Sequence, residues 1–291
     1  MREMLHLYWD IPVLEMEPSI RKHLFQEAVK RARNEGFVLP VTTGLILAWR
    51  DELETLWLGR LAFRAWTCSY APLAPGDLRE VSTKLTEIGA SFAALSGWML
   101  FPECEGFVNV GRSVHAALER TRRSIVLADN VMVCPLGEVP EQWIREIVDH
   151  VGKATWHDRH AKDCRLDPKQ VKQRRTDWIQ AQLRGGDGFF VAVLNSRGEL
   201  GAYLAVPLDR SRQILGGPVV AGINAVAGSL EEGRWFALMA ILKGFEVARS
   251  RKAIAIMQYQ PENKPMDYIA HRSFIARYCT RYDIHWYRGV P

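Results

Sequence analysis

The sequence has no C-x-x-C pair, no apolar run long enough to span a bilayer, no low-complexity tract and no repeat at a solenoid period. Each absence removes a class of protein. The five cysteines, Cys68, Cys104, Cys134, Cys164 and Cys279, are odd in number and widely spaced. That spacing argues against a disulfide framework and against a zinc knuckle, and predicts buried thiols, with Cys164 an inert thiol near a helix start. The longest uncharged stretch, Gln213 to Leu230, carries four glycines and Pro218, so it reads as strand and loop rather than as a membrane span. No apolar segment followed by a small-residue cleavage site succeeds Met1, which points to a cytoplasmic address. Disorder is excluded by 48% hydrophobic residues over 291 positions.

The excess of positive charge is small and localised. Net charge is +5, and the window Lys153–Arg184 alone holds nine Lys/Arg against four Asp, so the rest of the chain is neutral. Any anionic partner is therefore to be sought at that one segment. His157 and His160 fall inside it, three residues apart and without a third ligand at helical spacing. They predict a solvated surface pair rather than a metal site. Lys169, Lys172, Arg174 and Arg175 read either as a solvated helix face or as a phosphate-recognition surface.

The pattern of apolar residues predicts a mixed α/β architecture. In the first half, Ile20, Leu24, Ala28, Val29 and Ala32 predict a helix over Ser19–Arg33. Gly44–Trp49 and Leu56–Trp66 predict strands separated by the acidic turn Asp51–Glu54, followed by a helix over Leu78–Ile88. Then come a strand at Phe107–Val110, a helix near Ser113–Thr121, and strands at Ser124–Leu127 and Val131–Cys134. The stretch Pro135–Pro140 is the predicted boundary, giving lobes 1–140 and 141–291 that meet near residues 135–150. In the second half, Asp167-Pro168 is an N-cap followed by proline at the first helical position. Gly188–Leu194 and Glu199–Val206 flank Asn195-Ser-Arg-Gly198 as a hairpin. Val219–Ala227, Arg234–Arg249, Ala253–Gln258 and Tyr282–Tyr287 follow as strand, helix, strand and strand.

This order, together with several local motifs over roughly residues 150 to 291, resembles the GNAT superfamily of N-acetyltransferases and, within it, the TDP-fucosamine acetyltransferase family. The motifs are Arg165-Leu-Asp-Pro168 leading into the helix with Trp178, the hairpin Phe189–Val206, the strand ending Ala225-Val226-Ala227, Asn263-Lys-Pro-Met266 in place of N-x-x-A, Ser273-Phe274 in place of Gly-Phe, and the aromatic His285-Trp-Tyr-Arg288. Trp49–Leu61 is similar to the acidic and aromatic entry of that family's amino-terminal lobe, which implies a GNAT-like, degenerate first half.

The resemblance implies a GNAT fold whose sheet splays between Val219–Ala227 and Ala253–Gln258, so that an acyl-CoA donor adds hydrogen bonds to an open strand edge at Ala225, Val226 and Ala227. It implies a pyrophosphate held at the helix start by Gly233, Arg234, Trp235 and Ala237, with Asn263 nearby. The loop Glu232-Gly-Arg-Trp-Phe-Ala237 departs from the family's R-G-x-G-x-G/A at Glu232 and at Trp235. Trp235 and Phe236 read either as ligand contacts or as core residues on the inner face of the helix. Acyl transfer to an amine needs a base for the amine and an acid for the leaving thiolate. No carboxylate lies between Leu215 and Leu230, so the base is a water, held by Asn224, or is absent. Tyr268 is the hydroxyl nearest the acid position the resemblance implies, and reads equally as a packing residue.

The implied activity is transfer of an acyl group, acetyl from acetyl-CoA, to the amine of a small molecule such as an amino sugar, with no metal. The alternatives are a changed donor, aminoacyl-tRNA or an acyl carrier protein bound through Lys153–Arg184, or a non-catalytic binding module on the same fold.

Overall fold

A computed structural model describes residues 17–122, 130–154, 158–210, 213, 216–223, 226–230 and 234–289. The chain begins α1 (Pro18–Glu35), β1 (Gly36–Val41), β2 (Gly44–Arg50), α2 (Glu52–Leu58), β3 (Ala62–Ser69), α3 (Pro75–Glu87), β4 (Phe92–Gly97), β5 (Phe107–Thr121) and β6 (Val131–Pro135). It continues α4 (Glu141–Lys153), α5 (Pro168–Gly185), β7 (Gly188–Leu194), β8 (Leu200–Asp209), β9 (Val220–Ile223), β10 (Val226–Ser229), α6 (Arg234–Ser250), β11 (Ile254–Tyr259), α7 (Lys264–Ser273) and β12 (Phe274–Tyr287). The architecture is mixed α/β with a mixed sheet.

Two compact units interleave in sequence. The larger contains Val114–Trp156 and Lys172–Cys279, and the smaller contains Arg21–Ser113, His157–Val171 and Thr280–Pro291. The chain therefore enters each unit more than once, whereas its linear pattern suggested consecutive lobes 1–140 and 141–291.

In the larger unit the strand order is β6-β7-β8-β9-β11-β5, with β10 paired to β8. β9 and β11 are parallel, whereas β11–β5, β6–β7, β7–β8, β8–β9 and β8–β10 are antiparallel. Period-two alternation sends Phe189, Val191, Leu204 and Val206 to a core with Met239, Ile241, Leu242 and Phe245 of α6. It sends Phe190, Ala192, Tyr203 and Ala205 to the opposite face, against Ile144, Ile147 and Val151 of α4 and Ile179 and Leu183 of α5. The turn Asn195–Gly198 closes the hairpin through Asn195 Oδ1, which accepts from the amides of Arg197 and Glu199. Asp167 Oδ1 accepts from the Lys169 amide at the start of α5, as the Asp-Pro pair predicted.

In the smaller unit the order is β1-β2-β3-β4-β12, with β3 and β4 parallel. Leu78, Val81 and Leu85 of α3 pack on Phe63, Ala65, Ala93, Leu95, Ile284 and Trp286. The other face, with Ala62, Phe92, Ala94 and Tyr287, is covered by Leu166 and Val171 of the segment preceding and opening α5.

Four details depart from the sequence reading. Asp51 does not open a turn between strands: its side chain caps α2 by accepting from the Glu54 amide at 3.0 Å, and Gly59 ends the helix at φ 64°. The helix expected near Ser113–Thr121 is part of the continuous strand β5, because register with β11 (Ala116↔Met257, Leu118↔Ala255) overrides the helical propensity of Ala116-Ala117-Leu118. α4 occupies the stretch expected to join two lobes and buries Ile144, Ile147 and Val151. The last strand begins at Phe274 rather than Tyr282. The strand expected at Ser124–Leu127 lies outside the described residues. All five cysteines are free, and none is fully buried, with Cys164 exposed.

Candidate functional site

The larger unit contains an interrupted parallel pair. β9 pairs with β11 over four positions, Val220↔Ile254 to Ile223↔Met257. β10 then pairs only with β8, from Val226↔Ala205 to Ser229↔Ala202. Beyond Met257, β11 keeps β5 as its partner through Gln258↔His115 and Tyr259↔Val114. Among the described residues, the facing edges of β10 and the end of β11 therefore have no strand partner. Unpaired amides and carbonyls on such edges are a template for an extended ligand rich in amide groups.

Of the residues expected here, Val226 and Ala227 lie on β10, Ala227 packing against the larger unit's core. Asn224, Ala225, Glu232 and Gly233 lie outside the described residues. Arg234 is the first residue of α6. Trp235 is 60% exposed, so its indole is not the core residue that the alternative reading made it. The inward position belongs to Phe236, whose ring lies 3.2 Å from where a Cβ on Gly201 would sit. Ala237 is half-buried one position further on.

Asn263 caps α7, its Oδ1 accepting from the Met266 amide at 3.3 Å. Tyr268, on the same helix, is 60% exposed, with the Arg272 guanidinium 6.0 Å from its ring centroid. A buried packing role for Tyr268 is thereby overturned. Tyr259, at the open end of β11, was not singled out from the sequence. It is buried, and burial first and the Asp267 carboxylate second push its phenol upward, holding it protonated.

A second group missed in the sequence supports β10 from beneath. His150 Nδ1 and Tyr203 Oη are 2.9 Å apart, and burial lowers the imidazole and raises the phenol. Gly228 lies on top of them. A Cβ there would meet Tyr203 Oη at 2.6 Å and His150 Cε1 at 3.0 Å. Only glycine lets β10 approach this pair.

The smaller unit has the same strand–helix–strand order in β3-α3-β4, but it is closed. β3 and β4 pair along the whole of β4, from Ala62↔Phe92 to Thr67↔Gly97. At the last pair a Cβ on Gly97 would meet Thr67 Oγ1 at 2.0 Å. The start of α3 is occupied by its own acid, since Asp77 Oδ2 accepts from the Ala74 amide at 2.7 Å. A carboxylate there neutralises the helix dipole that would attract a phosphate.

The residues of the basic window divide between the two units. Lys153 pairs with Asp149 at 2.5 Å and Arg184 with Glu141 at 2.6 Å, while Arg159 lies 3.9 Å from Glu54 and 3.7 Å from Asp283. His160, expected at a solvated surface, is buried with Nε2 3.1 Å from Glu54 Oε1, and His157 lies outside the described residues. Among the described residues no His, Cys, Asp and Glu group is arranged to hold a metal ion, and no helix is long and apolar enough to cross a membrane.

No family model and no curated protein matches the sequence. Among solved structures, the chain is similar to a Drosophila protein at 12% identity and TM-score 0.50, over 98% of this chain and 95% of that one. It is also similar to a GNAT-family acetyltransferase from Colwellia psychrerythraea at 12% identity and TM-score 0.45, over 98% and 95% of the two chains. A tandem GNAT protein from the clavulanic acid biosynthesis pathway aligns at 11% identity and TM-score 0.44, over 78% and 76%. Likeness at these identities concerns the fold alone.

Proposed function

We propose that the chain is an N-acyltransferase that takes its acyl group from a CoA thioester, acetyl-CoA in the first instance, and passes it to the amine of a small molecule. The observation that carries this reading is the departure of β10 from β11 after Ile223 and Met257, with no strand filling the gap among the described residues. A pantetheine arm carries two amides and is extended, so it matches an open edge of this length. In this reading the start of α6, with Arg234 and the backbone toward Ala237, faces the diphosphate, and the exposed indole of Trp235 is available to the donor instead of to the core. The closed β3–β4 pair and the Asp77-capped α3 leave the donor role to the larger unit.

The chemistry required is proton removal from an ammonium and protonation of a thiolate. Tyr268 is the proposed acid, exposed on α7. Tyr259 is the alternative, a protonated phenol at the open end of β11. The base is a water at the open edge, with Asn224 as its proposed holder. The acceptor is proposed to be a small amine such as an amino sugar. A donor carried on tRNA or on an acyl carrier protein is the second reading, favoured only by exposed cations such as Lys169 and Lys172 on α5. The internal pairing of Lys153, Arg159 and Arg184 weighs against it.

Titration calorimetry with acetyl-CoA, followed by thiol-release assays over a panel of amines, tests the proposal. A Kd below about 1 mM, equivalent to roughly −4 kcal/mol, with amine-dependent thiol release supports it. Binding without release over the panel would make the chain a binding module, and no binding would remove CoA as the donor.

A further inference from the structure

The smaller unit buries a layer of ionisable side chains that acyl transfer does not use. It lies between the sheet and residues 158–166, which have no helix or strand of their own and which link α4 to α5 in the sequence. Asp163 and His285 are both fully buried as side chains, with Asp163 Oδ2 2.6 Å from His285 Nδ1. The same oxygen accepts from the Tyr287 hydroxyl, and Asp163 Oδ1 accepts from the Arg165 amide at 3.0 Å. His160 reaches Glu54 of α2, and Arg159 lies near both Glu54 and Asp283. Asp283 in turn accepts from Ser96 Oγ of β4 at 2.6 Å and from Arg281 Nε at 3.2 Å. Among the described residues, these ionisable contacts and the buried Leu166 side chain hold the irregular segment in place.

The weak point of the layer is the far side of the His285 ring. Among the described residues Nε2 is buried with no hydrogen-bond partner. Around the ring stand Asp163, Arg159 and the His160 ring at 5.6 Å from the covering segment, the edge of Phe92 at 4.9 Å from β4, and Asp283 and Tyr287 from β12. Glu54 of α2, Arg281 of β12 and Arg64 of β3 act on the same layer through Arg159. With Nδ1 donating to Asp163, neutral Nε2 is a lone pair in a dry place. A second proton would put an N–H and a positive charge there, near the Arg159 guanidinium and with no hydrogen-bond acceptor among the described residues.

We propose that this layer is an acid-operated clasp: uptake of a proton by His285 releases residues 158–166 from the sheet of the smaller unit. The proposal is independent of the acyl-transfer reading. Burial, reinforced by Arg159, holds the imidazole below its ordinary value, which agrees with a neutral ring in the closed state.

Amide hydrogen exchange on the full chain, corrected for intrinsic rates, tests it at pH 7.5 and pH 5. Amides of residues 158–166 should lose protection by about tenfold or more at the lower pH, a shift of about 1.4 kcal/mol, while those of α3 in the same unit stay protected. His285→Asn retains a donor where Nδ1 stands and takes up no proton, so its segment should keep the same protection at both values. Equal protection in the wild type at both pH values, or loss in His285→Asn equal to that in the wild type, overturns the proposal. If the variant does not fold, the wild type decides: the His285 imidazole followed by NMR must titrate with the opening of 158–166, and separate midpoints contradict the clasp.

Discussion

Gly228→Ala isolates the contact that fixes β10 and therefore the shape of the open edge. The added methyl would stand 2.6 Å from Tyr203 Oη, 2.8 Å from Tyr203 Cζ and 3.0 Å from His150 Cε1. Tyr203 is buried in the sheet face against α4 and cannot swing away, so the strand must give. Overpacking of this kind costs about 1–3 kcal/mol. For a folding unit of this size, a midpoint of about 2 kcal/mol corresponds to a fall in Tm of roughly 4–8 °C. Tyr203→Phe alone should cost about 1 kcal/mol for the bond to His150. In the double variant the closest of the three contacts is gone, so its cost should fall short of the sum of the two single-variant costs by about 1 kcal/mol. Urea denaturation of the four proteins supplies the cycle, and acetyl-CoA titration its functional counterpart. Donor affinity should fall in Gly228→Ala and hold in Tyr203→Phe, which leaves β10 in place. Additivity of the two stability changes within about 0.5 kcal/mol would refute the packing argument.

Further outcomes follow from particular groups. Trp235→Gly should cost no more than about 1 kcal/mol in urea denaturation, the helix-propensity difference, because the indole is exposed; a loss of about 3–5 kcal/mol would return Trp235 to the core. Tyr268→Phe should lower kcat by about 10²-fold or more with little change in the KM for donor, and an unchanged kcat would move the acid role to Tyr259. Asp163→Ala strands the buried His285 and Tyr287 donors and should cost about 3–5 kcal/mol; a loss under about 1 kcal/mol would contradict the network. Stability should depend on pH in two steps. His285 is held below its ordinary 6.5, so the unfolded chain binds the extra proton and stability falls as pH drops below that value. Asp163 and Asp283 are held below 3.8 by the groups that donate to them or pair with them, despite burial, and their contribution is lost only as pH falls below that. Thermal melts between pH 4 and 8 check the first step, which His285→Asn should remove.

The sequence exposes local geometry well and distant contacts poorly. The hairpin of β7 and β8 is legible because its alternation and the Asn195–Gly198 turn are local, and α5 announces itself through Asp167-Pro168. The β5 strand is not, because its pairing partner β11 lies over a hundred residues away and its Ala-Ala-Leu core has helical propensity. His160, Asp163 and His285 share the same difficulty. Within a window of nine cations His160 and Asp163 look like parts of a solvated face, His285 reads only as part of an aromatic last strand, and only the fold brings Asp163 and His285, 122 positions apart, into one bond. The open edge was anticipated from the order of elements. What lay beneath it, His150 under Gly228, has no motif at all, since a lone histidine at the end of a helix carries no sign of its partner.

The central claim is that a thioester donor adds to the gap between β10 and β11. Amide hydrogen exchange with and without saturating acetyl-CoA measures this directly. The account predicts new protection at residues 226–229 and 258–259, and at the first turn of α6, with β3 and β4 of the smaller unit unchanged. Protection appearing at β3 and β4 instead, or no change at the β10–β11 edge under saturating donor, would contradict it.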